Sequence, residues 1–183
     1  MPPGSQASPA DNWAAVAAIE RHHEQLARGL GELTESLLRS AEHRPAEADR
    51  RRRDLLSYLR RELLPHAQAE EEILYPAAAM LPGMSPLVNG MLAEHRAIIS
   101  CVGRLAAAGS AVRAAGAATA IAELFATHLA KENELIAPAL AASPEVPLAE
   151  LLGHMHALLS PAGPAGADEP GGGLERARHG RPA

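Results

Sequence analysis

The 183-residue sequence contains one cysteine, Cys101, and aromatic residues make up only 2% of the chain. A single cysteine cannot form an intramolecular disulfide or a thiolate cage for a metal, which fits a reducing cytoplasm. No apolar run approaches the ~20 residues needed to cross a bilayer, and no basic stretch followed by an apolar run indicates a signal peptide. We therefore expect a cytoplasmic protein that does not interact with a membrane.

The sequence also lacks an excess of positive charge, because its formal net charge is −5 and its pI is about 6.0. One basic run, residues 50–53, lies among acidic side chains, so a solvated helix face is favoured over a binding patch. Nucleic acid is therefore not expected as a partner.

The residues that are abundant favour helices. Apolar residues make up 47% of the chain, and they are mostly Ala and Leu, the best helix formers. Proline, glycine and serine clusters predict helices from about Asp11 to Ser40, from Pro45 to the 76–82 region, over 87–108 and over 117–141. The expected fold is all-α, an antiparallel up-down four-helix bundle with a short C-terminal helix. The predicted divisions are a disordered N-terminus (1–10), the bundle (11–142), a short amphipathic helix (146–159) and a flexible tail (160–183).

Each of the four long helices carries an apolar stripe with spacings of three and four residues, which is typical of the inward face of a bundle helix. Ionisable residues interrupt all four stripes. Burying such groups without partners costs several kcal/mol, and a lone case is best explained as a satisfied core histidine. A set spread over all four helices instead predicts a metal site, whose ligands are His23, His66, Glu70, His95, His128 and Glu132.

The spacing and an internal repeat support this prediction. His66 and Glu70 are four residues apart, as are His128 and Glu132, so each pair shares a helix face. The segments HAQAEEEILYP (66–76) and HLAKENELIAP (128–138) align without gaps, and HEQL (23–26) parallels HRAI (95–98). The chain is thus two αα-hairpins that each offer one lone histidine and one HxxxE pair. Imidazole and carboxylate together suit divalent transition metals, including manganese and zinc.

At these residues the sequence resembles the hemerythrin-like, HHE cation-binding family, over about residues 13–140. The stretch from His66 to Pro76 and the Glu94–His95 pair are similar to its motifs, and the whole pattern is similar to a bacterial subset with H…HxxxE…H…HxxxE. The resemblance implies a four-helix bundle with a non-haem, carboxylate-bridged pair of iron ions. It further implies bridging by Glu70 and Glu132, with the four histidines as terminal ligands.

The chain departs from the oxygen-carrying members of that family at two positions. Ile99 stands where they have a fifth histidine, and Asn133 stands where they have an aspartate, for which Glu132 substitutes. Fewer ligands leave open metal positions, which favours reaction with peroxide or dioxygen over oxygen carriage. We expect a catalase-like or otherwise protective redox role. The alternative is a sensor or binding module for oxygen, nitric oxide or iron that signals through a partner, and the sequence leaves enzyme and sensor open.

Other polar residues receive more modest predictions. His22 is assigned to the surface, and Glu71 or Glu94 is a candidate hydrogen-bond partner of a metal ligand. Tyr75 is close to the predicted ligands in sequence. The absence of a role at the metal is favoured for it over a hydrogen-bonding or ligating role. Residues 148–159 are predicted to form an amphipathic helix that docks on the bundle or binds a partner protein or a second copy of the chain.

Overall fold

The computed structural model describes residues 8–159, and this part of the chain folds into five helices without a strand. The predicted tail and the first seven residues of the predicted N-terminal segment lie outside the described residues. None of the helices in 8–159 is long and apolar enough to cross a membrane. The helices are α1 (Pro9–His43), α2 (residues 45–79), α3 (Ser85–Ala106), α4 (residues 111–142) and α5 (Leu148–Leu159).

The first four helices pack in the order in which they follow one another along the chain. Helix α1 contacts α2, α2 contacts α3, α3 contacts α4, and α4 returns to α1. Because the connections between them are short, consecutive helices run in opposite directions. The predicted all-α, antiparallel up-down four-helix bundle with a short C-terminal helix is confirmed.

Three helices begin earlier than the sequence patterns predicted: α3 begins at Ser85 rather than at 87, and serine caps explain the early start of α1 and α4. The Ser8 hydroxyl accepts a hydrogen bond from the Asp11 amide, and the Asp11 carboxylate accepts one from the Ser8 amide, so α1 begins at Pro9 rather than at Asp11. Ser110 caps α4 in the same way, through the amide of Arg113. Gly116, which was predicted to lie in the preceding connection, is therefore inside α4.

Wide π-helical turns interrupt α2 twice and α4 once, and each one lies next to a proline. A proline has no amide hydrogen, so it cannot complete the regular hydrogen bond of an α-helix. In each case the residue before the proline donates its amide to a carbonyl five residues earlier, as Tyr75 does to Glu70. The π-turns are Leu59–Leu63 before Pro65, Glu70–Leu74 before Pro76, and Glu132–Ile136 before Pro138.

These wide turns change which side chains face the core. A π-turn adds one residue to a helical turn, so the apolar stripe beyond it moves along by one position. The spacing of three and four residues in α4 predicts that Leu135, three residues after Glu132, lies in the core; this prediction is wrong, because Leu135 is 48% exposed and Ile136 is fully buried. In α2, the same shift buries Leu74 and Tyr75, whereas Ile73 is only partly buried.

The buried polar residues divide the core into two apolar clusters. One cluster includes Leu26, Leu63 and Ile98, and the other includes Ile19 and Met91. On α1, His23 lies between Ile19 of one cluster and Leu26 of the other. The apolar clusters therefore enclose a polar layer and separate it from the two ends of the bundle.

Helix α5 folds back onto α1 and α2. Its side chains Leu148 and Met155 are buried. The Asn12 amide nitrogen donates to the Val146 carbonyl (2.9 Å), and the Asn12 carbonyl oxygen accepts from the Ala149 amide (3.4 Å). These bonds anchor the start of α5 against the start of α1.

A close approach between α1 and α2 requires glycine at position 29. A Cβ atom there would lie 2.6–2.9 Å from three atoms of the Tyr58 side chain, whose hydroxyl donates to the Leu26 carbonyl. We expect Gly29→Ala to displace this ring and to lower the free energy of unfolding by about 1–3 kcal/mol. Gly31→Ala is the matched control, since a Cβ there meets nothing within 4 Å, and it should stabilise the helix by roughly 0.5–1 kcal/mol. Urea denaturation of the two variants checks both signs, and equal effects would contradict the proposed clash.

Candidate metal centre

The structure brings all six predicted ligands into one layer in the middle of the bundle. Each is at most 3% exposed, and all four long helices contribute. Two of the three π-turns begin at Glu70 and Glu132, so the side chains of these two residues leave their helices where the backbone widens. The polar layer consists of His23, His66, Glu70, His95, His128 and Glu132.

Two groups of side chains in this layer could each hold a metal ion. In each group, the candidate ligand atoms lie within 4.8 Å of one another. Glu70 belongs to both groups, which places its carboxylate between them. One group is His23, His66, Glu70 and Glu132, and the other is Glu70, His95 and His128.

The contacts of Glu70 show how its carboxylate connects the two groups. Its Oε1 atom lies 2.8 Å from His66 Nε2 and 3.5 Å from His23 Nε2. Its Oε2 atom lies 3.5 Å from His95 Nε2. Glu132 Oε2 lies 3.7 Å from His23 Nε2 and 3.6 Å from His128 Nε2. Each carboxylate therefore faces histidines from both hairpins, through both oxygens in Glu70 and through Oε2 alone in Glu132.

Three of the four histidines are held by a partner at the ring nitrogen that points away from the centre. His23 Nδ1 donates to Asn133 Oδ1 at 2.6 Å, His95 Nδ1 donates to Glu71 at 2.7 Å and His128 Nδ1 donates to Glu94 at 3.2 Å. A proton fixed on Nδ1 leaves the Nε2 lone pair free to bind a metal. The prediction left Glu71 and Glu94 as alternatives, and the structure gives both of them this contact.

Tyr75 is the residue of the site that the sequence patterns undervalued. It is 1% exposed, and its hydroxyl donates to Glu132 Oε1 at 2.6 Å. The same oxygen lies 3.1 Å from His128 Nε2 and 3.5 Å from His95 Nε2. The signal was the proline that follows it, because the π-turn before Pro76 rotates Tyr75 into the core.

The two buried carboxyl groups titrate in opposite directions. Burial acts to raise the pKa of Glu70, but the imidazoles of His66, His23 and His95 outweigh it and hold this pKa well below its usual range. Burial and the neighbouring charge of Glu70 raise the pKa of Glu132 well above its usual range. In the absence of a metal, the layer thus favours one ionised and one protonated carboxyl group, as expected for two acids that face each other.

The histidine pKa values follow the same environment. Burial lowers the pKa of His128 to about 4, despite the carboxylates of Glu70 and Glu94. Burial also acts to lower the pKa of His95, but Glu70 and Glu71 outweigh it and raise this pKa. A neutral His128 is ready to bind a metal without first losing a proton.

The donor atoms of this layer fit a metal ion. Within residues 8–159, both oxygens of Glu70, the Glu132 Oε2 atom and the Nε2 atoms of His23 and His66 are buried without a hydrogen bond. The Nε2 atoms of His95 and His128 lie 3.0 Å apart. Because both Nδ1 atoms face carboxylates, these two lone pairs point towards one another and need a cation or a proton between them. Buried polar atoms of this kind are ordinarily satisfied, and a metal would satisfy them together.

The position that was compared with the fifth histidine of oxygen carriers does not face the site. Ile99, four residues after His95, is 52% exposed. Met91, four residues before His95, is fully buried. A histidine at position 99 would thus point to solvent, and of these two α3 positions only Met91 lies on the buried face.

The prediction that His22 lies at the surface was wrong. Its ring is half-buried and lies 4.9 Å from the ring of His66, centre to centre, at an interplanar angle of 61°. Burial and the neighbouring imidazoles of His66 and His23 lower its pKa to about 4. Leu152 and Met155 of α5 cover a cavity of about 10 Å³ that both His22 and His66 line.

Comparison with known proteins agrees with this geometry. The sequence pattern of the hemerythrin HHE cation binding domain matches residues 14–140. No curated protein and no solved structure matches the chain. The family match and the cluster of histidines and glutamates together indicate metal binding.

Metal binding should raise the melting temperature of the metal-free protein, because the native state alone brings the ligands together. We expect an increase of about 5 °C or more with zinc(II) or iron(II) in excess, and its loss in Glu70→Gln, which removes the shared carboxylate. Glu72→Gln is the control, since Glu72 is exposed on the same helix and should leave the increase unchanged. Differential scanning calorimetry with and without metal measures the melting temperatures of the unaltered protein and the two variants. An equal shift in both variants would show that the metal binds elsewhere.

Proposed function

Since the chain belongs to the hemerythrin HHE cation-binding family, we propose that it binds two iron ions and is redox-active toward peroxide or dioxygen. His23 and His66 bind one iron, and His95 and His128 bind the other. Glu70 and Glu132, whose carboxylates face histidines of both groups, would hold both ions. The proposed role is a catalase-like or protective redox activity.

The observation that carries this proposal is the shared carboxylate of Glu70. Its two oxygens face different histidine groups, and a carboxylate between two metal ions neutralises part of their charge. The imidazoles are typical ligands of iron, and they are typical of zinc and manganese sites as well. The family favours iron among these metals.

The number of donors favours reaction over simple storage of the metal. Four histidines and two carboxylates leave coordination positions open when they are divided between two ions. Bound iron supplies the change of oxidation state that lets one hydrogen peroxide be reduced to water while another is oxidised to dioxygen. That reaction consumes two peroxide molecules for each dioxygen released and needs no external reductant.

The chain itself places a hydrogen-bond donor next to the site. Tyr75 keeps its hydroxyl proton, because burial and the charges of Glu70 and Glu132 raise its pKa above the usual range. The hydroxyl lies between Glu132 Oε1 and His128 Nε2. From there it can donate a hydrogen bond to an oxygen species that enters the layer and can hold the Glu132 carboxylate in place.

The surrounding core excludes bulk water. The layer lies between the two apolar clusters, and Glu71, Glu94 and Asn133 hold three of the histidines from outside. Fixed donors and a dry surrounding strengthen the electrostatic interactions within the layer. Small uncharged molecules such as hydrogen peroxide, dioxygen or nitric oxide are the ligands that suit so enclosed a site.

Elemental analysis and a peroxide assay on one iron-loaded sample test the proposal. We expect about two irons per chain and release of dioxygen from hydrogen peroxide, with a lower iron content and no dioxygen release in His95→Gln. Arg96→Gln is the control, because Arg96 is an exposed neighbour on the same helix. A fully iron-loaded protein without turnover would contradict the enzyme, and it would favour the sensor whose signal passes to a partner through residues 148–159.

The role of Tyr75 has a test of its own. Tyr75→Phe removes the hydroxyl and should slow peroxide consumption on the order of 10²-fold while the iron content stays the same. Tyr58→Phe is the matched control, since the Tyr58 hydroxyl donates to the Leu26 carbonyl away from the polar layer. Steady-state kinetics on iron-loaded samples measures the difference. Unchanged turnover in Tyr75→Phe would contradict the hydrogen-bonding role of this hydroxyl.

A further inference from the structure

The outer partners of the four histidines follow the internal repeat of the chain. In the alignment of residues 66–76 with 128–138, Glu71 corresponds to Asn133. Glu71 accepts from His95, the lone histidine of the second hairpin. Asn133 accepts from His23, the lone histidine of the first. The first hairpin consists of α1 and α2, and the second consists of α3 and α4. In each hairpin, the residue immediately after the glutamate of the polar layer accepts a hydrogen bond from the lone histidine of the other hairpin.

The same symmetry applies to the histidines of the HxxxE pairs. Glu94 immediately precedes His95 and accepts from His128 Nδ1. The residue that immediately precedes His23 is His22, and the histidine that corresponds to His128 is His66. The repeat therefore predicts that His22 is the partner of His66, just as Glu94 is the hydrogen-bond partner of His128.

The geometry around His22 agrees with this correspondence. Its ring is in edge-to-face contact with the ring of His66. Within the described residues, His22 Nε2 and His66 Nδ1 are both buried and make no hydrogen bond. A neutral imidazole has one nitrogen that donates and one that accepts, so these two atoms are able to satisfy one another after a small rotation of the rings.

Solvent is a poor substitute for this partner. The cavity that His22 and His66 line has a volume of about 10 Å³, which is at the lower limit for a single water molecule. Helix α5 closes it from outside with the apolar side chains of Leu152, Met155 and Leu159 and with His156. These residues lie beyond the 14–140 segment that matches the family, so the cover over this corner belongs to the chain's own C-terminal helix.

We propose that His22 is the positioning residue of His66, and that its Nε2 atom accepts a hydrogen bond from His66 Nδ1 when His66 Nε2 binds a metal. The proposal rests on the metal site proposed above, but on neither the identity of the metal nor its reactivity. His22 is not a ligand. It acts by fixing the tautomer and the orientation of the His66 ring, which is the ligand.

The two metal positions are then unequal. His95 and His128 are each held by a carboxylate, which strengthens an imidazole as a ligand. His23 is held by the neutral amide of Asn133, and His66 by the neutral ring of His22. The metal between His95 and His128 should therefore bind more tightly, and the metal between His23 and His66 should be the first to leave.

Cobalt(II) titration of the full-length, metal-free protein against a competing chelator tests this assignment. The visible absorption of cobalt(II) follows each metal position as it fills. We expect two steps in the unaltered protein, and a weakening of the second step by about 10- to 100-fold in His22→Leu with the first step unchanged. His22→Gln keeps an acceptor at this position and should restore most of the loss.

Controls separate positioning from packing. Glu24→Gln alters an exposed residue on the other side of His23 and should leave both steps unchanged. The melting temperature of the metal-free protein should be similar in all variants. The role of His22 is overturned if His22→Leu binds cobalt(II) like the unaltered protein, if both steps weaken equally, or if His22→Gln is no better than His22→Leu. Failure of the unaltered protein to bind two metal ions would instead overturn the metal site itself.

Discussion

Six ionisable side chains share one buried layer, and most of the local structure is organised around the need to compensate them. Removing an ionised group from water costs several kcal/mol unless hydrogen bonds and opposite charges replace the lost solvation. The bundle supplies that replacement from all four long helices. Glu70 faces three imidazoles, and Glu132 accepts the Tyr75 hydroxyl. The carboxylate and imidazole atoms that stay without a hydrogen bond belong to groups that could hold a metal.

Prolines within α2 and α4 determine how the side chains of Glu70, Glu132 and Tyr75 are oriented. Each proline in the middle of α2 or α4 follows a π-turn, and two of the three turns begin at Glu70 and Glu132 of the polar layer. A π-turn is costly in a regular helix, so its recurrence at the same place in both hairpins indicates a functional constraint. It widens the backbone at the carboxylate and rotates the following residues, which is how Tyr75 reaches the layer.

The histidines and glutamates of the polar layer are the same in both halves of the internal repeat, but the residues that surround them differ. Glu71 and Glu94 are anionic partners of His95 and His128, whereas Asn133 is neutral and His22 is a neutral imidazole. Tyr75 corresponds to Ala137 in the other hairpin, so only one half of the layer carries a hydroxyl. A symmetric set of histidines and glutamates in asymmetric surroundings makes the two halves of the layer chemically different.

Sequence alone determined the fold class and the six residues of the polar layer. Apolar spacing within a helix depends only on the helical period, and HxxxE places both ligands on one face wherever the helix packs. The tertiary structure decided the rest. Leu135 was wrongly assigned to the core because the effect of a π-turn on register shows only when the helix is packed, and His22 was wrongly assigned to the surface because its neighbours come from α2 and α5. A residue's position on its own helix can be read from local spacing, but the groups it meets across the bundle are set by contacts far apart in the chain.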